Sequence, residues 1–155
     1  MESRATIAGH PIHPMLISFP IALWTTSFAA DVAFYFVRHP TLLVISKFLI
    51  AAGCLGALAA AIPGIIDWLA IPSGEVKRVA NWHARLNITA LIVFVISFLL
   101  RIGSYSHLVG HRLTIPFLLS VVGVILVTIS GWLGGELTFR HGVGQTRDAK
   151  EPQGS

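Results

Sequence analysis

Four membrane-length apolar runs constrain this chain more than any other feature. They are Pro14–Val37, Leu42–Leu69, His83–Leu100 and Leu113–Leu133. The hydrocarbon core of a bilayer, roughly 30 Å thick, takes about 20 residues of helix to cross. Lipid offers no partners to an unpaired backbone, so each run is expected to be helical. Only short polar joints separate the runs. The 155 residues are 54% hydrophobic and 12% charged, outside the usual range of a soluble domain. The expected fold is an all-α integral membrane four-helix bundle, one domain over residues 1–144, with both termini on the same side. Small residues between Gly53 and Gly64 would let helices approach closely. After about Gly144 the chain has nothing to bury, and residues 145–155 read as a disordered tail.

No basic start, short apolar core and small-residue cleavage site precedes Pro14, so the first helix is expected to stay. Lys and Arg give the orientation. Arg4, Lys77, Arg78, Arg85, Arg140, Arg147 and Lys150 fall on the side of the termini, and Arg38, Lys47, Arg101 and Arg112 fall opposite. Seven against four gives an expectation of termini on the cytoplasmic side. The basic balance then suits anionic lipid, and without basic runs interleaved with aromatics it gives no sign of nucleic acid. The lone Cys54 reads as a small packing residue. No convincing repeat stands out.

Polar chemistry gathers at the terminus-side ends of the runs. His10 and His13 lie in His10-Pro11-Ile12-His13-Pro14, where each precedes a proline and is expected outside regular helix. A bland reading makes His13 a cap for the first helix. His83 and Asn87 share one face at the start of the third run, and His141 follows Gly134-Gly135, which loosen or end the fourth helix. Asp67 and Glu136 join the same layer. Pro20 and Pro63 should kink their helices and free carbonyls that need partners near the histidines. His39, His107 and His111 read as loop histidines at a headgroup surface. Asp31, about seventeen residues into the first helix, is open to both a functional and a structural ion-pairing reading.

The His-Pro-x-His-Pro start with Phe19-Pro20, the Gly-x-x-Asp-Trp of Gly64 to Trp68, His83 with Asn87, and the Gly-Gly-Glu-Leu-x-x-x-His-Gly-Val-Gly of Gly134 to Gly144 resemble the bacterial membrane family called domain of unknown function 2231. The resemblance runs from about Gly9 to Gly144 and implies a small multi-pass bundle. It is also similar, in fold and ligand type, to small membrane cytochromes that hold haem b between histidines.

Two imidazoles on one haem b would make an electron-transfer centre within such a bundle. The most economical pairing joins His83 with His13 or His141, with Arg85 and Arg140 meeting propionates and a quinone or membrane redox protein as partner. Histidines at helix ends suit a compact ion better. The main alternative is therefore a transition-metal ion held by His10, His13, His83 and His141 with Asp67 or Glu136. A third reading is an accessory subunit without chemistry of its own. A transporter fits less well without an inverted repeat, although a homo-oligomer could form a path. No nucleophile–base pair, phosphate loop or dinucleotide fingerprint appears, so enzyme status stays open.

Overall fold

A computed structural model describes residues 2–103 and 114–145 of the chain. His107, His111, Arg112, Leu113 and the expected tail beyond Gln145 lie outside the described residues. The chain opens with a two-residue strand β1 (Thr6–Ile7) paired antiparallel to β2 (His10–Pro11). Ala8 and Gly9 between them both have positive φ, as a two-residue hairpin turn matched to strand twist requires. Four helices follow: α1 (Ile12–Val37), α2 (Thr41–Ala70), α3 (Glu75–Gly103) and α4 (Thr114–Gly135). All four are long and apolar enough to cross a membrane. Glu2 bridges to Gln145, so the two described ends meet on one side of the bundle.

Several boundaries differ from the apolar runs, each for a physical reason. Helix α3 starts at Glu75, eight residues before His83, because hydropathy registers only the part of a helix that lies in lipid. Its polar first turns instead cap α2. There Asn81 accepts a 2.8 Å bond from Trp68 Nε1–H, and Lys77 lies over the Trp68 ring and donates to the Trp68 carbonyl. Helix α1 starts at Ile12, so His13 is helical although it precedes Pro14. A first-turn proline removes an N–H that has no helical acceptor, and Ile12 N–H is taken by Ala5 O at 2.9 Å. Pro20 and Pro63 sit inside continuous helices. Gly134-Gly135 do not end α4, which passes into a π-helical turn over Glu136–Arg140.

Helix α1 packs chiefly on α2 and α3 chiefly on α4, while the two hairpins meet less extensively. Between them the Trp24 and Phe94 rings stack at 4.4 Å with planes 14° apart. Each ring rests on a glycine of its own hairpin. A Cβ on Gly53 would come within 2.5 Å of Trp24, and one on Gly123 within 2.6 Å of Phe94. The outward faces carry Phe48, Leu55, Ile88, Leu99, Ile125 and Ile129, all exposed and suited to lipid.

The two hairpins form an internal repeat with an offset of 70 residues. His13 and His83, Trp24 and Phe94, Ser27 and Ser97, Asp31 and Arg101, Gly53 and Gly123, and Gly64 and Gly134 all share the separation recorded between Asp31 and Arg101. Three of these pairs meet their own equivalents across the hairpin boundary, as residues beside a pseudo-twofold axis must. Since α1 and α3 run the same way, that axis lies along the membrane normal. The sequence reading missed this repeat. Four of the six pairs are identical, but the six are spread across four helices and the residues between them mostly differ.

Far from the termini, the same seam holds a buried ion pair. Arg101 donates to both Asp31 oxygens, at 2.9 and 2.6 Å, and to Ser120 Oγ and the Pro116 carbonyl. Ser120 Oγ–H donates to Asp31 at 2.9 Å. Asp31 and Arg101 are 3% and 6% exposed, so neither charge has water to fall back on. Asp31→Ala or Arg101→Ala should each destabilise the protein by about 3–5 kcal/mol, and the Asp31→Leu/Arg101→Met double variant should recover most of that loss. Thermal or SDS unfolding in detergent measures the cycle.

Candidate paired-histidine site

The site follows from the repeat. His13, one residue into α1, and His83, in the third turn of α3, occupy equivalent places on the two hairpins. Their ring centroids are 6.4 Å apart and their planes 86° apart. His13 Nδ1 lies 2.8 Å from the Ala60 carbonyl of α2, and His83 Nδ1 lies 2.9 Å from the Ser130 carbonyl of α4. Ala60 and Ser130 are themselves equivalent positions. A carbonyl can only accept, so each Nδ1 carries a proton, and in the neutral form of either ring the lone pair lies on Nε2. His83 Nε2 accepts from Asn87 Nδ2 at 3.0 Å.

Two glycines give the rings room. A Cβ on Gly64 would lie 2.8 Å from the His13 ring, and one on Gly134 would lie 3.1 Å from the His83 ring. Pro63 withholds a helical donor from the Ala59 carbonyl, four residues before it, so the Ala60 carbonyl that His13 uses is the neighbour of the one the proline frees.

The other side chains expected at this layer are held elsewhere. His10 is exposed on β2, with Nδ1 3.0 Å from the Ala8 carbonyl. His141 follows the π-helical turn and is half-buried, its backbone N–H bonded to Glu136 O. The Asp67 carboxylate accepts from Ser3 Oγ at 2.8 and 3.0 Å, from Arg4 N–H at 2.8 Å and from Ala5 N–H at 3.3 Å. Glu136 accepts from Arg140 at 2.7 Å. Arg85 lies over the Trp82 ring at 5.4 Å. Among the described residues no three His, Cys, Asp or Glu side chains gather around a common point. His13 and His83 come together; the rest of the expected cluster does not join them.

The sequence reading passed over Ala60, Gly64 and Ser130 as parts of this site. The 70-residue offset was the signal that could have found them, because it assigns each histidine an equivalent glycine and an equivalent carbonyl.

A family model described as predicted membrane protein (DUF2231) matches residues 9–147. The chain belongs to that family. The match takes in both histidines, both glycines and the whole repeat, so the paired site lies entirely within the family's domain. No curated protein and no solved structure matches the chain. In this DUF2231 member, Gly64→Ala should push the His13 ring off its seat and destabilise the protein by about 1–3 kcal/mol. Gly134→Ala should cost less, because its contact is longer. Melting temperatures in one detergent check the order.

Proposed function

We propose that this DUF2231 protein is a small electron-transfer protein of the bacterial inner membrane that binds haem b, with His13 and His83 as the residues that would hold its iron. The observation that carries the reading is the symmetric pair itself. Two imidazoles from different hairpins stand beside the pseudo-twofold axis, each with Nδ1–H on a helix carbonyl and Nε2 left as the ligating atom. Metal-bound histidines characteristically donate their other N–H to such a carbonyl, which orients the ring and raises its basicity. The 6.4 Å between centroids fits one ion shared by two rings, at about 2 Å per metal–nitrogen bond plus the half-width of each ring.

Ligand number favours haem. With Asp67 and Glu136 held by other partners, two imidazoles are too few for a closed non-haem iron or zinc site, whereas a porphyrin supplies the other four donors. Bis-imidazole iron supplies one-electron chemistry without exchange of ligands. The chain holds each ring by its Nδ1 on a helix carbonyl and leaves it half-buried. Asn87 must release His83 Nε2 for that nitrogen to bind, so its amide covers the site. The excess of Lys and Arg on the terminus side supports a reading in which the pair lies in the cytoplasmic half of the membrane, where a quinone headgroup would meet it.

A single copper ion between the rings is a second reading, favoured by one observation. The imidazoles already stand at one-ion separation with the glycine-lined helices closed around them.

The test is the reduced-minus-oxidised absorption spectrum of the purified protein, with metal analysis of the same sample. A haem b band lost in both His13→Ala and His83→Ala supports the proposal. Metal without that band supports the single ion, and a colourless, metal-free protein overturns both. Asn87→Ala, which uncovers Nε2, should leave haem occupancy unchanged or raise it and should shift the midpoint potential.

A further inference from the structure

One of the places on the terminus side where the repeat fails is Asp67, and a polar pocket lies beside it. Asp67 in the first hairpin has Leu137 as its equivalent in the second. Leu137 is buried in a cluster with Ile71 and Ala80, backed by Trp68, Val76 and Val79. Around Asp67 the chain instead leaves a cavity of about 230 Å³, lined by Glu2, Arg4, Asp67, Ala70, Ile71, Val143 and Gly144. That is far more than the ~15 Å³ one water needs and less than the roughly 300–1,000 Å³ of a pocket for a drug-sized molecule. The size suits a headgroup.

The lining chemistry narrows the ligand. Asp67 Oδ1 already accepts from the Arg4 and Ala5 backbone N–H groups, and the Ser3 hydroxyl lies against both carboxylate oxygens. Recognition therefore falls to Arg4 and Glu2, whose side chains form no ion pair among the described residues. One guanidinium and one carboxylate at the mouth of a cavity with an apolar wall are complementary to a zwitterion. The guanidinium suits a phosphate through charge-assisted bonds, and the carboxylate suits an ammonium group.

The cavity lies where α2 ends at the terminus-side boundary of its membrane span. Below it, Ile62, Ile65, Ile66 and Leu69 are exposed along α2 and give an acyl chain a continuous apolar track. We infer that this cavity is a binding site for phosphoethanolamine, presented as the headgroup of phosphatidylethanolamine, with Arg4 on the phosphate and Glu2 on the ammonium. The inference stands apart from the histidine pair and does not require haem.

Native mass spectrometry of the full-length protein, delipidated and titrated with phosphatidylethanolamine, phosphatidylglycerol or soluble glycerophosphoethanolamine, tests it. The expected result is one phosphatidylethanolamine retained at least tenfold better than phosphatidylglycerol. Arg4→Gln should weaken that retention about tenfold, and Glu2→Gln should erase the preference over phosphatidylglycerol. Neither side chain holds the fold together, so both variants should keep wild-type melting temperatures in lipid-free detergent. Equal retention of the two lipids, or retention unchanged in Arg4→Gln, overturns the site. Equally tight binding of soluble glycerophosphoethanolamine overturns its assignment to lipid.

Discussion

Aromatic and imidazole rings seated on glycines hold this bundle together. Between membrane helices there is little hydrophobic drive, because lipid tails are as apolar as leucine, so association depends on close packing and on polar bonds out of reach of water. Trp24 on Gly53 and Phe94 on Gly123 meet the first need at mid-depth. His13 on Gly64 and His83 on Gly134 repeat the arrangement three turns closer to the termini and add a hydrogen bond from each ring to the facing helix. Within each hairpin, ring and glycine fix how near the helices come. Across the hairpins, the rings touch each other. The paired site is thus one layer of the packing scheme that forms the core.

Polar groups set the two ends of the seam. Ser27, Ser46, Ser97, Ser120 and Ser130 are all essentially inaccessible, yet each has a hydrogen bond. At one end the Asp31–Arg101 pair joins α1 to α3 and, through Ser120, to α4. At the other, Asn87 closes over His83. Among the described residues no buried side-chain nitrogen or oxygen lacks a partner, the condition for placing charges and amides at membrane depth.

Much of this was legible in the residues. Apolar run length gives four spans, because the bilayer sets a minimum, and the even count puts the termini together. Run length could not show that α3 continues eight residues towards Glu75, since those turns pack on Trp68 rather than on lipid. The His-Pro-x-His-Pro segment pointed to the right helix end, but proline grammar placed His13 outside the helix, where a bond to Ala60 O and a seat on Gly64 outweigh that local preference. Asp67 and Glu136 share a layer with the histidines in sequence, yet each meets a closer partner: the Asp67 carboxylate is wrapped by Ser3 to Ala5, and Glu136 is taken by Arg140 one turn on. Sequence position supplies depth in the membrane; it does not say which neighbour wins a side chain. The 70-residue correspondence would have supplied much of that, because it ties Asp31 to Arg101 and His13 to His83 before any coordinates.

The buried ion pair also bears on how such a chain arises. Residues beside a twofold axis face their own copies, so two identical hairpins would set Asp against Asp or Arg against Arg, and two like charges cannot both stay ionised in contact in a dry interior. Asp31 facing Arg101 is open only to halves that differ in sequence. Joining the hairpins in one polypeptide frees them to diverge at such a position, and the resulting charge complementarity favours pairing of the first half with the second over pairing of either half with its like.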